Sequence, residues 1–326
     1  MKSFEYAAPR KLEDALALLG DTWGETEIMA GGTDLVTCLK QHITEPRRVV
    51  SLKNISELKG IHVDRKMMRI GATTTLAEAA EHAALQKNFP AIATAIQNIS
   101  SPQMLHAGTM GGDICQRPRC WYFRNGHGLL GMDEDTSLVK EGDNRYHAIF
   151  GNTGPALFVS ASSLGPALVA LGATIHVVGR KKAKREIPAS EFFRTPANER
   201  ERETALKPQE IVSEIHVPLQ GLKNAIYEVR HRKGLDWPYV SAAVAFQWKG
   251  NSASDCRVVL GHVAPIPWRS EAGAKAMEGS ALDESVAAKA GEAAVSGAKP
   301  LSRNAYKVQL VKTAVKRSIL TAVGLI

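Results

Sequence analysis

Two glycine-rich turns constrain the fold of this 326-residue chain more than any other feature. The first, AGGTDL at 30–35, follows the strand-like segment TEIMA, and the second, GTMGGDI at 108–114, follows helix-like segments. Glycine lets the backbone approach a ligand closely, and successive N–H groups in such a turn can point into one concavity. Each turn is therefore a candidate anion-binding loop, although a Gly-Gly pair is more often only a turn.

Together the two turns predict a dinucleotide site that is not of the Rossmann type. Two such loops can hold one pyrophosphate from opposite sides. Asp34 and Asp113 would then contact ribose or ribityl hydroxyls, or they would simply cap the backbone. Neither turn has the GxGxxG spacing, and the chain has no P-loop Lys-Ser/Thr pair.

Charge and cysteine content argue against several other classes of protein. The net charge is +8, but the basic residues are scattered, and the densest cluster, GRKKAKRE at 179–186, lies between two strand-like segments. That position is typical of a solvated hairpin loop, so we expect no nucleic-acid interface. Four cysteines at 38, 115, 120 and 256 match neither a secreted disulfide framework nor the paired spacing of a zinc site.

The chain shows no sign of a membrane segment. No apolar run reaches the length of a membrane span, and the start, MKSFEYAAPRK, has no apolar signal-peptide core. We therefore expect a cytoplasmic protein, which would reach the periplasm only by export together with a partner.

Hydrophobic periodicity divides the chain into three units, 1–60, 61–220 and 221–326. In the first unit, KLEDALALLG predicts a helix ending at Gly20, and TDLVTCLKQH a helix capped by Thr33 or Asp34. TEIMA and RRVVSL predict strands. The second unit opens with a hairpin about Asp64 and Arg65, and the helix-like segments GATTTLAEAAEH and FPAIATAIQNI follow it.

The later elements are a mixture of strands and helices. The segment 115–145 has little periodicity. SLGPALVALG predicts a short helix, and the last unit should end with helices around SEAGAKAMEG and SRNAYKVQLVKTAVKRSILTAV. The predicted strands are RYHAIFG, ATIHVVG, EIVSEIHVP, AIYEVRHRK, SAAVAFQWK and CRVVLGHVAP, although the alanine-rich SAAVAFQWK could also be helical.

Three motifs in series, AGGTDL, GTMGGDICQ and LGHVAPIPWR, resemble the FAD-binding medium subunit of the molybdenum hydroxylases. That family includes xanthine dehydrogenases, aldehyde oxidoreductases, carbon monoxide dehydrogenase and 4-hydroxybenzoyl-CoA reductase. The resemblance covers essentially the whole chain. It implies an α+β fold, with a two-subdomain FAD-binding domain of the PCMH (vanillyl-alcohol-oxidase-like) type. A small C-terminal α+β domain with an antiparallel sheet would follow it.

The same resemblance implies which residues hold the cofactor. The first turn would wrap the FAD pyrophosphate, the second would form the opposite wall, and two residues ahead of it would lie near the flavin. The implied cofactor-binding residues are Ala30, Gly31, Gly32, Thr33, Asp34, Leu35, Ile99, Ser100, Gly108, Thr109, Gly111, Gly112 and Asp113. No protein nucleophile or general base is implied.

The resemblance further implies that this chain works within a larger enzyme. A large molybdopterin-binding subunit would oxidise the organic substrate, and a small subunit with two [2Fe–2S] clusters would pass electrons to FAD, in a heterotrimer or a dimer of heterotrimers. The final acceptor could be NAD, oxygen, a quinone or a carrier protein. The alternatives are an independent flavoprotein oxidoreductase and a scaffold subunit that has lost FAD. The scaffold alternative draws on Ser163, which stands where relatives carry an Asp that contacts the cofactor.

The segment CQRPRCWYFRN resembles one branch of the family, in which an inserted loop holds a [4Fe–4S] cluster on four cysteines. Cys120 resembles the first ligand. The other thiolates would be expected near Gly128, Ser137 and Ala156, but no cysteine lies between Cys120 and Cys256. Because such a cluster normally needs four thiolates, we expect no metal in this chain and interpret Cys120 as a remnant of the ligand set.

Overall fold

A three-stranded parallel sheet forms the first unit of the computed structural model, which describes residues 1–99, 101–232, 234 and 236–326. The strands are ordered β1-β3-β2, and the apolar side of α1 packs on them. Both strand predictions are confirmed, whereas α1 ends three residues before Gly20. The elements are β1 (Glu5–Ala7), α1 (Leu12–Ala17), β2 (Thr26–Met29), α2 (Leu35–Lys40) and β3 (Arg48–Ser51).

The second unit contains a five-stranded antiparallel sheet with the order β4-β5-β10-β8-β9. The strands of this sheet are β4 (Ile61–Val63), β5 (Met67–Gly71), β8 (Thr174–Val178), β9 (Lys184–Pro188) and β10 (Ile211–Pro218). The 115–145 segment contains a separate small hairpin of β6 (Met132–Asp133) and β7 (Thr136–Ser137). Its helices are α3 (Leu76–Glu81), α4 (Ala83–Asn88), α5 (Pro90–Gln97), α6 (Pro102–Ala107), α7 (Met110–Cys115), α8 (Trp121–Arg124), α9 (Leu138–Glu141), α10 (Gly165–Ala170) and α11 (Ala189–Phe192).

Local signals explain the predictions that hold in this unit. The first hairpin turns at Asp64, whose carboxylate accepts the N–H groups of Lys66 and Met67. The basic cluster at 179–186 spans the β8–β9 connection and the start of β9, as expected of a solvated hairpin. The strand predicted over RYHAIFG is wrong. Ile149 and Phe150 both donate to one carbonyl, that of Val263, so no ladder forms.

A four-stranded antiparallel sheet packed on helices forms the last unit, in the order β11-β12-β13-β14. The alanine-rich β12 is buried along most of its length because α14 and α10 both contact it. The α+β fold with an antiparallel C-terminal sheet is thus confirmed. The elements are β11 (Lys223–Val229), β12 (Val240–Lys249), β13 (Ser252–Gly261), β14 (Trp268–Arg269), α12 (Glu271–Lys275), α13 (Glu284–Ala294) and α14 (Tyr306–Val323). In the described part of the chain, no helix is both long and apolar enough to cross a membrane.

Candidate cofactor-binding site

The two glycine turns touch each other, which their separation in sequence does not reveal. A Cβ atom added to Gly31 would lie 1.7 Å from the carbonyl oxygen of Ala107 and 3.1 Å from the Cα of Gly108. No side chain fits in that space. The first turn therefore needs glycine at this position in order to pack edge-on against the residues that lead into the second turn.

The first turn leaves its N–H groups available. Within the described residues, no protein group accepts a hydrogen bond from the N–H of Gly32, Thr33 or Asp34. Gly32 has a φ of 74°, a left-handed conformation that favours glycine. Successive free N–H groups in such a turn form a concavity that suits an anion.

The second turn is built differently, and it is not the equivalent loop that the sequence suggested. Met110 N–H donates to the Thr74 carbonyl, Gly111 N–H to the Ala72 carbonyl at 2.8 Å, and Gly112 N–H to the Thr109 hydroxyl at 3.0 Å. These N–H groups are therefore engaged within the protein. The second turn contributes a close backbone wall rather than a second set of free donors.

Both turns line one cavity of about 200 Å³, and a neighbouring cavity of about 80 Å³ shares Thr33, Asp34, Thr109 and Gly112 with it. The predicted residues that line the larger cavity are Ala30, Gly31, Gly32, Thr33, Asp34, Leu35, Thr109, Gly111 and Gly112. Those that line the smaller one include Ile99, Gly108 and Asp113. Ser100 lies outside the described residues.

Asp113 is buried and already bonded inside the protein. Its carboxylate accepts from the hydroxyl of Ser162, the N–H of Leu164 at 3.0 Å and the amide of Gln116 at 3.0 Å. Burial raises the pKa of Asp113, and the hydrogen bonds from Ser162 and Leu164 oppose that shift. Of the two roles considered for Asp113, capping of the backbone is the one that these contacts show. Ser163 lines the same small cavity.

Asp34 neither caps α2 with its side chain nor stands free. Its Oδ1 accepts from Arg119 Nη1 at 2.6 Å and from Arg124 Nη2 at 2.8 Å, while its Oδ2 accepts the N–H of Arg117 at 2.8 Å. All three arginines belong to the 115–145 segment, here called the inserted loop. The predicted cap is therefore corrected: the carboxylate anchors the inserted loop onto the first glycine turn.

An apolar cluster fills the interior of the inserted loop. Cys120 packs against this cluster, and its Sγ lies 3.1 Å from His147 Nε2. The cluster residues are Phe123, Leu129, Leu130, Ala156 and Phe158. Near Gly128, the carboxylate of Glu199 accepts the N–H groups of Leu129 and Leu130. Among the residues described, no three His, Cys, Asp or Glu side chains are grouped closely enough to hold a metal ion.

Sequence reasoning missed the charged groups around the larger cavity. Arg117 forms an ion pair with Glu203, and Arg202 lies over the ring of Trp23, with its guanidinium carbon 4.9 Å from the ring centre. Burial lowers the pKa of Arg202. A signal existed for the loop arginines, because three of them occur within eight residues directly after the second turn. No local pattern pointed to Trp23 or Arg202.

Comparison with known protein families identifies the family of the chain. Residues 2–220 match the model of the FAD binding domain in molybdopterin dehydrogenase, and residues 225–322 match that of the CO dehydrogenase flavoprotein C-terminal domain. The chain belongs to the FAD-binding medium subunits of the molybdenum hydroxylase family. The predicted resemblance is confirmed, and this family member is an oxidoreductase subunit.

Individual relatives cover nearly the whole chain. The carbon monoxide dehydrogenase medium chain of Hydrogenophaga pseudoflava is 29% identical over 98% of this chain and 96% of its own length. The aldehyde oxidoreductase FAD-binding subunit of Escherichia coli K12 is 28% identical over 83% of this chain and 85% of its own length. A solved carbon monoxide dehydrogenase from Hydrogenophaga pseudoflava superposes with a TM-score of 0.76 at 26% identity, covering 99% of this chain and 98% of that one.

Proposed function

We propose that this chain carries FAD between the two glycine turns and passes electrons from [2Fe–2S] clusters of a partner subunit to an external acceptor. The substrate would be oxidised on a separate molybdopterin-binding subunit. The relatives are named as a medium chain and as an FAD-binding subunit, which supports a multi-subunit assembly with a large and a small partner. A heterotrimer, or a dimer of heterotrimers, fits this naming.

The observation that carries the proposal is that the free N–H groups of the first turn lie beside the closely packed backbone of the second turn. The open N–H groups of Gly32, Thr33 and Asp34 suit the two charges of a pyrophosphate. The contact of Gly31 with Ala107 leaves a slot whose other side is the second turn. The residues present therefore fit a dinucleotide that lies between the turns.

Roles for the predicted residues follow from their positions. We assign pyrophosphate binding to the first turn, residues 30–35, and the facing wall to Gly108, Thr109, Gly111 and Gly112. Ile99 would bound the flavin end beside the smaller cavity, where Asp113 holds the neighbouring loop in place. Ser100 is proposed for the same end from sequence alone. The division of the chain at 60 and 220 is part of this proposal.

The protein's contribution is binding and shielding rather than acid–base chemistry. When bound, FAD supplies the ability to accept electrons singly and to deliver them in pairs. The chain would orient the cofactor, neutralise the pyrophosphate charge with backbone dipoles, and exclude water with the apolar walls that Leu35 and Ile99 provide. No side chain of the cleft is assigned as a nucleophile or a base.

Absorption spectroscopy with quantified flavin tests the proposal, and two matched glycine variants sharpen it. Gly32 has a φ of 74° in the proposed site, whereas Gly279 has a φ of 69° and no atom within 4 Å of an added Cβ. Replacing either glycine by alanine adds about 1 kcal/mol of backbone strain. A Cβ at Gly32 would also lie 3.3 Å from Val36 Cγ2 and 3.4 Å from Met29 Sδ, so only Gly32→Ala should shift the backbone that carries the free N–H groups.

We expect the wild-type chain and Gly279→Ala to hold about one FAD each, and Gly32→Ala to bind FAD at least tenfold more weakly. Equal FAD affinity in the two variants would remove the first turn from the site. A colourless wild-type chain that FAD cannot reconstitute would favour the scaffold alternative. Turnover of an organic substrate by the isolated chain would favour an independent flavoprotein.

A further inference from the structure

The larger cavity extends beyond the glycine turns to charged groups that the pyrophosphate assignment does not use. Trp23, Arg202 and Glu203 line this part together with the first turn, and they line the larger cavity but not the smaller one. Because the flavin is assigned to the side of the smaller cavity, beside Ile99, the other half of the dinucleotide falls here. The part of the larger cavity at Trp23, Arg202 and Glu203 is called the adenosine end.

An aromatic face and a guanidinium group form the far wall of the adenosine end. The guanidinium carbon of Arg202 lies 4.9 Å from the centre of the Trp23 ring. The Arg202 side chain is only 20% exposed, yet within the described residues its guanidinium donates no hydrogen bond, and its ion-pair contact with Glu27 is long, at 3.9 Å. A purine base offers a flat face for stacking and ring nitrogens that accept hydrogen bonds. This wall therefore suits adenine.

One oxygen of the Glu203 carboxylate has no protein partner. Glu203 is 8% exposed, its Oε1 accepts from Nε of Arg117, and its Oε2 is buried and unbonded in the described part of the chain. A buried carboxylate oxygen without a partner costs free energy, so a ligand hydroxyl or a water is expected to satisfy it.

The neighbours of Glu203 place it between the base wall and the pyrophosphate site. Glu203 directly follows Arg202 in the chain, which puts it beside the base wall. Its ion-pair partner, Arg117, donates its backbone N–H to Asp34 of the first turn at 2.8 Å. In a dinucleotide, the ribose of the adenosine lies between the base and the pyrophosphate. The free oxygen of Glu203 is therefore at the level of that ribose.

Both the backbone and the side chain of Glu203 are held in place. The Glu203 carbonyl accepts the N–H of Arg194 at 2.9 Å. The guanidinium carbon of Arg117, which bonds to the carboxylate, lies 4.9 Å from the centre of the Phe123 ring in the apolar cluster of the inserted loop. The orientation of the carboxylate thus depends on the inserted loop.

We propose that Glu203 makes the site specific for a free ribose, by accepting hydrogen bonds from the hydroxyls of the adenosine ribose, and that Arg117 of the inserted loop positions it. This inference rests on the proposed function. An ionised carboxylate only accepts hydrogen bonds, so it suits hydroxyl donors and repels a phosphate group in their place. The inserted loop, which lacks the cysteines of a cluster, then contributes to the recognition of the dinucleotide.

The test uses the full-length chain after removal of FAD, with ADP and its 2′-deoxy, 3′-deoxy and 2′-phosphorylated forms as probes. ADP carries the adenine, the ribose and the pyrophosphate without the flavin, so it reports on the adenosine end and the first turn alone. Isothermal titration calorimetry measures the Kd of each probe, and quenching of flavin fluorescence measures the Kd of FAD. The quantity compared is the ratio of the Kd of a deoxy form to that of ADP, because a general loss of stability leaves this ratio unchanged.

Three variants separate the roles of the side chains. Glu203→Gln keeps the shape of the carboxylate but removes its charge, and Arg117→Met removes the Nε donor but keeps the backbone N–H bonded to Asp34. Glu210→Gln is the matched control. Glu210 lines the same cavity, its side chain is 10% exposed like that of Glu203, and it also pairs with an arginine, Arg185. Both of its carboxylate oxygens, however, accept hydrogen bonds within the protein.

We expect ADP to bind at least tenfold more tightly than at least one deoxy form in the wild-type chain and in Glu210→Gln, and less than about threefold more tightly in Glu203→Gln. Arg117→Met should show an intermediate ratio, because the carboxylate keeps its charge but loses the contact that orients it. The affinity for FAD should fall about tenfold in Glu203→Gln, whereas 2′-phospho-ADP should bind that variant at least fivefold more tightly than the wild-type chain.

Two results would overturn the inference and leave the proposed function standing. One is a wild-type chain that binds FAD and ADP but does not distinguish ADP from either deoxy form, since Glu203 Oε2 would then bond to a buried water. The other is a preference for ADP that persists unchanged in Glu203→Gln. An unchanged ratio in Arg117→Met would overturn the positioning role of the inserted loop. A chain that binds neither FAD nor ADP would overturn both the inference and the proposed function.

Discussion

The attachment of the inserted loop to the first glycine turn depends on one carboxylate, and Asp34→Asn tests it. Asp34 accepts three hydrogen bonds from the inserted loop, two of them from the guanidinium groups of Arg119 and Arg124. The exposed fractions of the three side chains are only 15%, 23% and 12%. Asparagine keeps the shape of the side chain but removes its charge, so two largely buried cations lose their counter-ion.

Removal of one partner from a buried ion pair costs about 3–5 kcal/mol, and hydrogen bonds to charged groups contribute about 1.5–3 kcal/mol each. Part of that loss is offset because the arginine side chains stay partly exposed to water and because the amide oxygen of asparagine can still accept a hydrogen bond. We therefore expect the free energy of unfolding to fall by about 2–3 kcal/mol. In urea this corresponds to a decrease of about 1 M in the midpoint.

Urea unfolding of the FAD-free protein, followed by circular dichroism, measures the effect without interference from the cofactor. Limited proteolysis should at the same time show faster cleavage within the inserted loop. Asp21→Asn is the matched control, because Asp21 also bonds to an arginine, Arg180, but its side chain is 70% exposed. An exposed pair of this kind contributes at most a few tenths of a kcal/mol. Equal midpoints and equal cleavage rates in the two variants would refute the reasoning.

Three further predictions concern pH, thiols and the contact between the turns. Because the folded pKa values of His147 and His262 lie near 4 and 3, below about 6.5 in the unfolded chain, stability should fall as pH drops below 6.5. Relative to pH 7, the two histidines together should lower the free energy of unfolding by about 3.5 kcal/mol at pH 5. Chemical denaturation of His262→Gln should show about half of this pH dependence. An unchanged pH dependence would contradict the prediction. Burial raises the pKa of all four thiols, which belong to Cys38, Cys115, Cys120 and Cys256. Alkylation by iodoacetamide at pH 8, measured by mass spectrometry, should therefore be slow at each of them. Rapid labelling of any one thiol would contradict this prediction. Gly31→Ala should abolish FAD retention, since its Cβ would overlap the Ala107 carbonyl, and normal retention would show that the turns need not touch.

Much of the fold followed from local sequence because its signals are local. Short runs of adjacent apolar residues mark β2 and β3, and an Asp side chain closes the first hairpin through N–H groups only two and three residues away. The helix α13 was missed because its buried face carries only small residues. Those residues let it approach α14 so closely that a Cβ on Gly291 would lie 2.6 Å from the Lys312 carbonyl.

The sequence by itself determined the family, the α+β class and the first glycine turn, since each rests on residues that are adjacent in the chain. Only the tertiary structure decided what the polar side chains do. Asp34 bonds to arginines 85 and 90 residues away, and Lys307 bonds to carbonyls as far as 161 residues away. A buried charged side chain bonds to the partner that tertiary packing brings within hydrogen-bonding distance. The free-energy cost of burying it without a partner is larger than the free energy of any local backbone preference. Sequence patterns report backbone preferences, and they carry no information about that choice.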